Sequence, residues 1–137
     1  MKLRCSIVWV IASLIATTPF VDPLSPATLY VTHHNLFEDS FKSPYEIIFF
    51  VFYDGDVYGF TTRNERTVNW SIIDLVRYMK EQGKTAEDIA IVIHNHALSP
   101  RFSMTDRRCC KMLRQLGFKG AFLLYHCPTG KVIFLEE

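Results

Sequence analysis

The stretch Ile89-Ala-Ile-Val-Ile-His-Asn-His96 constrains this chain more than any other. It opens as an uninterrupted apolar run, the signature of a buried strand. It then delivers two histidines, with Ser103 and Asp106 close behind. Side chains two apart on a strand share a face, so His94 and His96 project together from the strand end. Two imidazoles and a carboxylate form a three-ligand set suited to a catalytic zinc ion with an open fourth position. Neutral imidazole is a good zinc ligand, and the carboxylate helps to balance the charge. Such a site lowers the pKa of bound water from about 15.7 to about 7, which yields a nucleophile at ordinary pH.

His-x-His alone is a weak signal, and Ser103 and Asp106 have a second meaning. Ser-x-x-Asp is a helix N-terminal signature, in which the serine caps and the acid favours the positive end of the helix dipole. The two roles are compatible. A ligand in the first helical turn is oriented by the cap itself.

The remaining segments supply a scaffold. Ala27 to Lys42 is helix-compatible and ends at Ser43-Pro44, because the residue before proline is pushed out of the helical region. Glu46 to Tyr53 is aromatic and β-branched, and Asp54-Gly55-Asp56 turns it into a returning strand over Val57–Thr62. Ser71-Ile-Ile-Asp74 reads as a capping box, followed by an apolar stripe of Ile72, Leu75, Val76 and Met79, with Gly83 as the stop. A second helix opens at Ser103, with Cys109, Met112, Leu113 and Leu116 on one face. Ala121–His126 and Lys131–Leu135 form a closing hairpin around Cys127-Pro-Thr-Gly130. The order predicts a mixed α/β fold, with a central sheet and helices packed against it.

The first 20 residues differ from the rest. Met1-Lys-Leu-Arg4 is basic, Cys5 to Ile15 is apolar apart from Ser6 and Ser13, and Ala16-Thr-Thr18 offers small residues for cleavage. This pattern predicts a secretory signal peptide, with an N-terminal membrane anchor as the rival. Residues 1–20 are therefore set apart from a domain over 27–137, and export is expected. Loss of Cys5 with a signal leaves Cys109, Cys110 and Cys127, an odd number. One of the adjacent pair can bridge to Cys127, or all three stay free.

His94-Asn-His96 followed by Ser103 and Asp106 resembles the metal-binding motif of JAB/MPN (JAMM) metallopeptidases, a family of cytidine-deaminase-like fold. The Asn between the histidines is what RadC-like members show. The order of helices and strands is also similar, over roughly residues 27 to 137. The resemblance implies that His94, His96 and Asp106 bind zinc. It implies that Ser103 hydrogen-bonds the oxyanion of a tetrahedral intermediate and that Glu46, heading a strand, relays the proton. Glu65 and then Glu38 are the other candidates for the acid/base role. Two features depart from the family. The loop between His96 and Ser103 is one residue shorter than the pattern, and Ala97 stands where proline is usual.

The function expected from the resemblance is zinc-dependent cleavage of a peptide or isopeptide amide outside the cytoplasm. The alternatives are an inactive interaction module on the same fold and a RadC-like role with nucleic acid. Arg101, Arg107, Arg108, Lys111 and Arg114 surround the site, either as a solvated face or as a docking surface for an acidic segment or a phosphate backbone. A net charge of +1 and expected export make nucleic acid the weaker partner and a peptide the stronger. His33-His34 is expected on the surface, and neither this pair nor His126 is expected to be a ligand.

Overall fold

The computed structural model describes residues 2–5, 25–61 and 72–137. In chain order the elements are β1 (Lys2–Cys5), α1 (Pro26–Thr32), α2 (His34–Phe41), β2 (Ile48–Phe52), β3 (Val57–Phe60), α3 (Ile72–Glu81), β4 (Ile89–His96), α4 (Met104–Gln115), β5 (Ala121–His126) and β6 (Lys131–Phe134). The expected strands and helices are present, so the fold is mixed α/β. Of the expected targeting segment, Lys2–Cys5 pairs antiparallel with β3, and residues 6–20 lie outside the described residues. So do Glu65 and the capping position Ser71. Among the described residues, no helix is long and apolar enough to cross a membrane.

The strands form one sheet in the order β1-β3-β2-β4-β5-β6. β4 lies between antiparallel β2 and parallel β5. Helix α4 makes the long crossover that a parallel pair demands. The apolar run of β4 is buried along its length because both faces of the sheet are covered. On one face Ile48, Phe50, Val92 and Phe122 pack with Leu75, Tyr78 and Met79 of α3 and with Cys110 and Leu113 of α4. On the other, Phe49, Val51, Ile91, Ile93 and Leu123 pack with Leu29 of α1 and Phe37 and Phe41 of α2. Gly120 allows α4 and β5 to close on β4, since a Cβ there would lie 2.1 Å from the Ala90 carbonyl oxygen.

Several expectations are corrected by this packing. The first helix is two, broken at His33, whose backbone leaves helical geometry. His33 is buried and its Nδ1 donates to the Leu29 carbonyl, so only His34 is a surface residue, paired with Glu38 at 3.3 Å. In α3 the buried side is Leu75, Tyr78 and Met79, while Val76 is exposed. In α4 it is Cys110 and Leu113, while Met112 and Leu116 face outward. Cys109, Cys110 and Cys127 are all thiols, with none of them in a disulfide. Cys110 packs on one face of the sheet and Cys127 on the other, so the strands stand between the two thiols.

Candidate metal centre

The register of β2 against β4 builds the site. Ile48 lies opposite His94 at the last paired position. Continuing that antiparallel register by two residues sets Glu46 opposite His96 and on the same face, where cross-strand side chains meet. Glu46 Oε1 accordingly lies 3.5 Å from His96 Nε2, although Glu46 is outside the strand proper. Glu46 is 9% exposed and His94 2% exposed, so both residues are largely taken from water.

Asp106 arrives from the other side. Ser103 caps α4, its hydroxyl accepting from the Asp106 amide at 3.0 Å, while Asp106 Oδ2 accepts from the Ser103 amide at 2.7 Å. This reciprocal box fixes the carboxylate in the first turn. Asp106 Oδ1 then lies 3.2 Å from His94 Nε2, and Oδ2 lies 3.3 Å from His96 Nε2. The short loop after His96 thus does bring Asp106 back to both imidazoles. It is held there by the Leu98 carbonyl, which accepts from His126 Nε2 at 3.1 Å, and by Ser99, whose hydroxyl accepts from the Arg101 amide.

The proton inventory of the imidazoles gives the site its character. His96 Nδ1 faces the Ser99 carbonyl oxygen at 3.2 Å, and a carbonyl can only accept, so Nδ1 carries a proton. Its Nε2 is left to face two carboxylates. A neutral ring would aim a lone pair at them, so a cation must sit between: a second proton or a metal ion. Burial disfavours the charged ring, but the hydrogen bond and attraction from Asp106, with smaller help from Glu46 and the Ser99 carbonyl, outweigh it and raise the His96 pKa. Burial likewise works against the Asp106 carboxylate, yet the His94 and His96 imidazoles set against it, with the Ser103 amide, hold its pKa well below the usual carboxylate range.

His94 strengthens the metal reading. Neither of its ring nitrogens has an aligned hydrogen-bond partner among the described residues, even though Nε2 is close to Asp106. A buried imidazole without partners is costly. The donor set fits an ion. Ligand atoms of His94, His96 and Asp106 lie within 4.8 Å of one another. Ligand bonds of about 2.0–2.1 Å in a tetrahedron put ligand atoms about 3.3 Å apart, close to the two His–Asp separations here. The triad could therefore hold a metal ion. The tautomer that the Ser99 carbonyl sets on His96 is the one that leaves Nε2 as the ligand atom.

The other expected residues separate clearly. Glu46 joins the site. Ser103 is beside it with its hydroxyl engaged as the helix cap. Glu38 lies across the sheet, lining a cleft of about 460 Å³ with Phe41, Lys42, Tyr125 and Cys127. His126 is not a ligand candidate, because Leu98 and Thr129 satisfy both its nitrogens. Arg114 leaves the basic cluster, being tied to Glu137 at 3.0 Å and to the Phe118 and Gly120 carbonyls, whereas Arg101, Arg107, Arg108 and Lys111 are exposed. A residue whose role the sequence did not reveal is Asn95, buried between the two histidines but pointing to the opposite face. Its place between the two histidines, which carries part of the family resemblance, says nothing of the contacts it makes on the other face.

No protein-family model, curated protein or solved structure matches this chain.

Proposed function

We propose that this protein is a zinc-dependent hydrolase of the JAB/MPN type, exported from the cytoplasm and cleaving a peptide or isopeptide amide. The observation that carries the reading is the Asp106 carboxylate set between two imidazoles, with the Glu46 carboxylate 3.5 Å from one of them. His94, His96 and Asp106 would hold the ion, and the pair of carboxylates balances its two positive charges. Bound zinc supplies a Lewis acid and makes water acidic enough to attack at neutral pH.

The chain's own groups account for the proton traffic and the charge. Glu46, against the His96 ring but outside the ligand set, is placed to take a proton and return it to a leaving amine. Microscopic economy favours one carboxylate for both transfers, since the proton then moves only between neighbouring atoms. Ser103 can turn its hydroxyl hydrogen towards a developing oxyanion while its oxygen still accepts from the Asp106 amide. The exposed loop residues Ala97 to Arg101, which follow His96 directly, are suited to contacting an extended polypeptide.

The deciding experiment is metal analysis of protein purified without added zinc, followed by an assay on peptide and isopeptide substrates. One equivalent of zinc lost in His94→Ala and Asp106→Ala, with turnover lost in Glu46→Gln, is the expected result. Zinc retained after loss of both histidines would sink the site. Stoichiometric zinc with no amide cleavage would leave a metal site without this activity and favour an interaction module.

A further inference from the structure

Glu46 lies beyond the end of both ladders that hold β2. The β2–β4 register ends at Ile48 opposite His94, and the β2–β3 register ends at Ile48 opposite Phe60. A backbone leaving a sheet must find other partners for its polar groups. Here side chains supply them. Asn95 Oδ1 accepts from the Ile47 amide at 2.7 Å, and Asn95 Nδ2 donates to the Tyr45 carbonyl at 3.1 Å. On the other flank, Thr61 Oγ1 donates to the Glu46 carbonyl at 2.8 Å. The peptide groups before and after Glu46 are thus held from both sides, by residues 2% and 5% exposed.

The chemistry of Asn95 suits this task. A side-chain amide carries one acceptor and one donor on a single plane, as a peptide group does, so it can stand in for the missing strand partner. Both contacts are used, which also fixes its orientation, because the oxygen must face an N–H and the nitrogen a carbonyl. Aspartate would keep the acceptor and set a repelling oxygen against Tyr45. Leucine would fill the space and leave the buried Ile47 amide and the half-buried Tyr45 carbonyl without these partners. Asn95 sits between His94 and His96 in β4, so the same strand carries two ligands on one face and the clamp for the acid/base carboxylate on the other.

We propose that Asn95, supported by Thr61, is a positioning residue that fixes the Glu46 carboxylate over the His94–His96–Asp106 centre. The inference rests on the metal reading above, and it makes zinc affinity depend on Asn95 through Glu46. A carboxylate held beside a bound dication strengthens its binding. Outer partners of this kind are worth about 10–100-fold in metal affinity.

The test is a double-mutant cycle on zinc affinity, read by competition with a chromophoric chelator. It uses the full chain as wild type, Glu46→Gln, Asn95→Leu and the double variant. Each single variant is expected to weaken zinc about 10–100-fold, and the double variant to be no weaker than Glu46→Gln. A structural effect alone would lower the melting temperature but would add in full to the Glu46 effect. Additive losses, or Asn95→Leu within threefold of wild type (~0.65 kcal/mol at 25 °C), would overturn the proposal. Thr61→Val, which keeps shape and removes only the donor to Glu46, runs through the same cycle if Asn95→Leu does not fold, and additivity there is equally fatal. Wild-type protein that binds no zinc at all is a different result, one that removes the metal centre itself.

Discussion

The two ends of β4 pose the same electrostatic problem and solve it differently. Just before its start, Lys84 meets Asp54 and Asp56 of the β2–β3 turn, with Asp56 at 3.1 Å. At its end, His94 and His96 meet Asp106 and Glu46. Asp54 and Asp56 are 53% and 37% exposed, so water shares their charge, and the lysine brings its own proton. At the far end His94 and Glu46 are buried and His96 and Asp106 half-buried, the histidines bring no fixed charge, and the His94 ring has no aligned hydrogen-bond partner among the described residues. The first arrangement is complete as it stands. The second sets two carboxylates against imidazoles that can take either a proton or a metal ion, and that difference separates a surface clamp from a centre that can take an ion.

The largest effect that would break this contrast is removal of a ligand. His94→Ala and Asp106→Ala are expected to abolish stoichiometric zinc by elemental analysis, because two protein ligands rarely suffice for a tightly held ion. Glu46→Gln should come next, retaining stoichiometric zinc at saturation while turnover on an amide substrate falls at least 100-fold, the lower range for a lost acid/base. His126→Ala sharpens the comparison from inside the site. His126 is the register neighbour of His96 on β5, yet both its nitrogens are spent on Leu98 and Thr129. It should keep zinc and cost about 0.5–1.5 kcal/mol in urea denaturation, the net worth of an ordinary hydrogen bond, since Leu98 and Thr129 are exposed and water can take the place of the ring.

Lys84 gives the smallest effect. Burial alone would lower its pKa, but hydrogen bonds to Asp54 and Asp56 outweigh that and raise it. A raised folded-state value means stability fully present below the unfolded value of 10.5 and lost as pH rises through the higher folded one. Lys84→Met should therefore cost about 0.5–1 kcal/mol at pH 7, as partly exposed pairs do, and converge with wild type in strongly alkaline solution. Zinc content should be unchanged. A Lys84 effect on zinc would mean that the two ends of the strand are coupled.

What could be read from the sequence follows from the range of each signal. The apolar run of β4, the Ser103–Asp106 cap and the pairing of His94 with His96 are local patterns, and the structure contains them all. The nearness of Glu46 to His96, 50 residues later in the chain, is a matter of register between strands, which no local pattern encodes. Its placement came from the family resemblance. The inner face of α4 departs from the sequence pattern because Met112 and Leu116 are apolar yet exposed, while Cys110 and Leu113 are buried against the sheet and Cys109 packs at their edge. His33 departs from the pattern in the converse way, as a polar side chain buried where a helix break gives its Nδ1 a carbonyl partner.

The distance in sequence between Asn95 and the segment it clamps has a consequence for how the chain matures. Loop closure must be paid before contacts of this range give anything back. The Glu46 carboxylate thus reaches its place only once β2 has aligned on β4, and Asp106 only once α4 is capped. A partly folded chain can own the two histidines and still lack the centre. Ion capture at full affinity would then be a late event, and each bound ion would hold the finished fold by mass action. Zinc released on gentle heating would report the loosening of the β2–β4 pairing before the rest of the sheet opens.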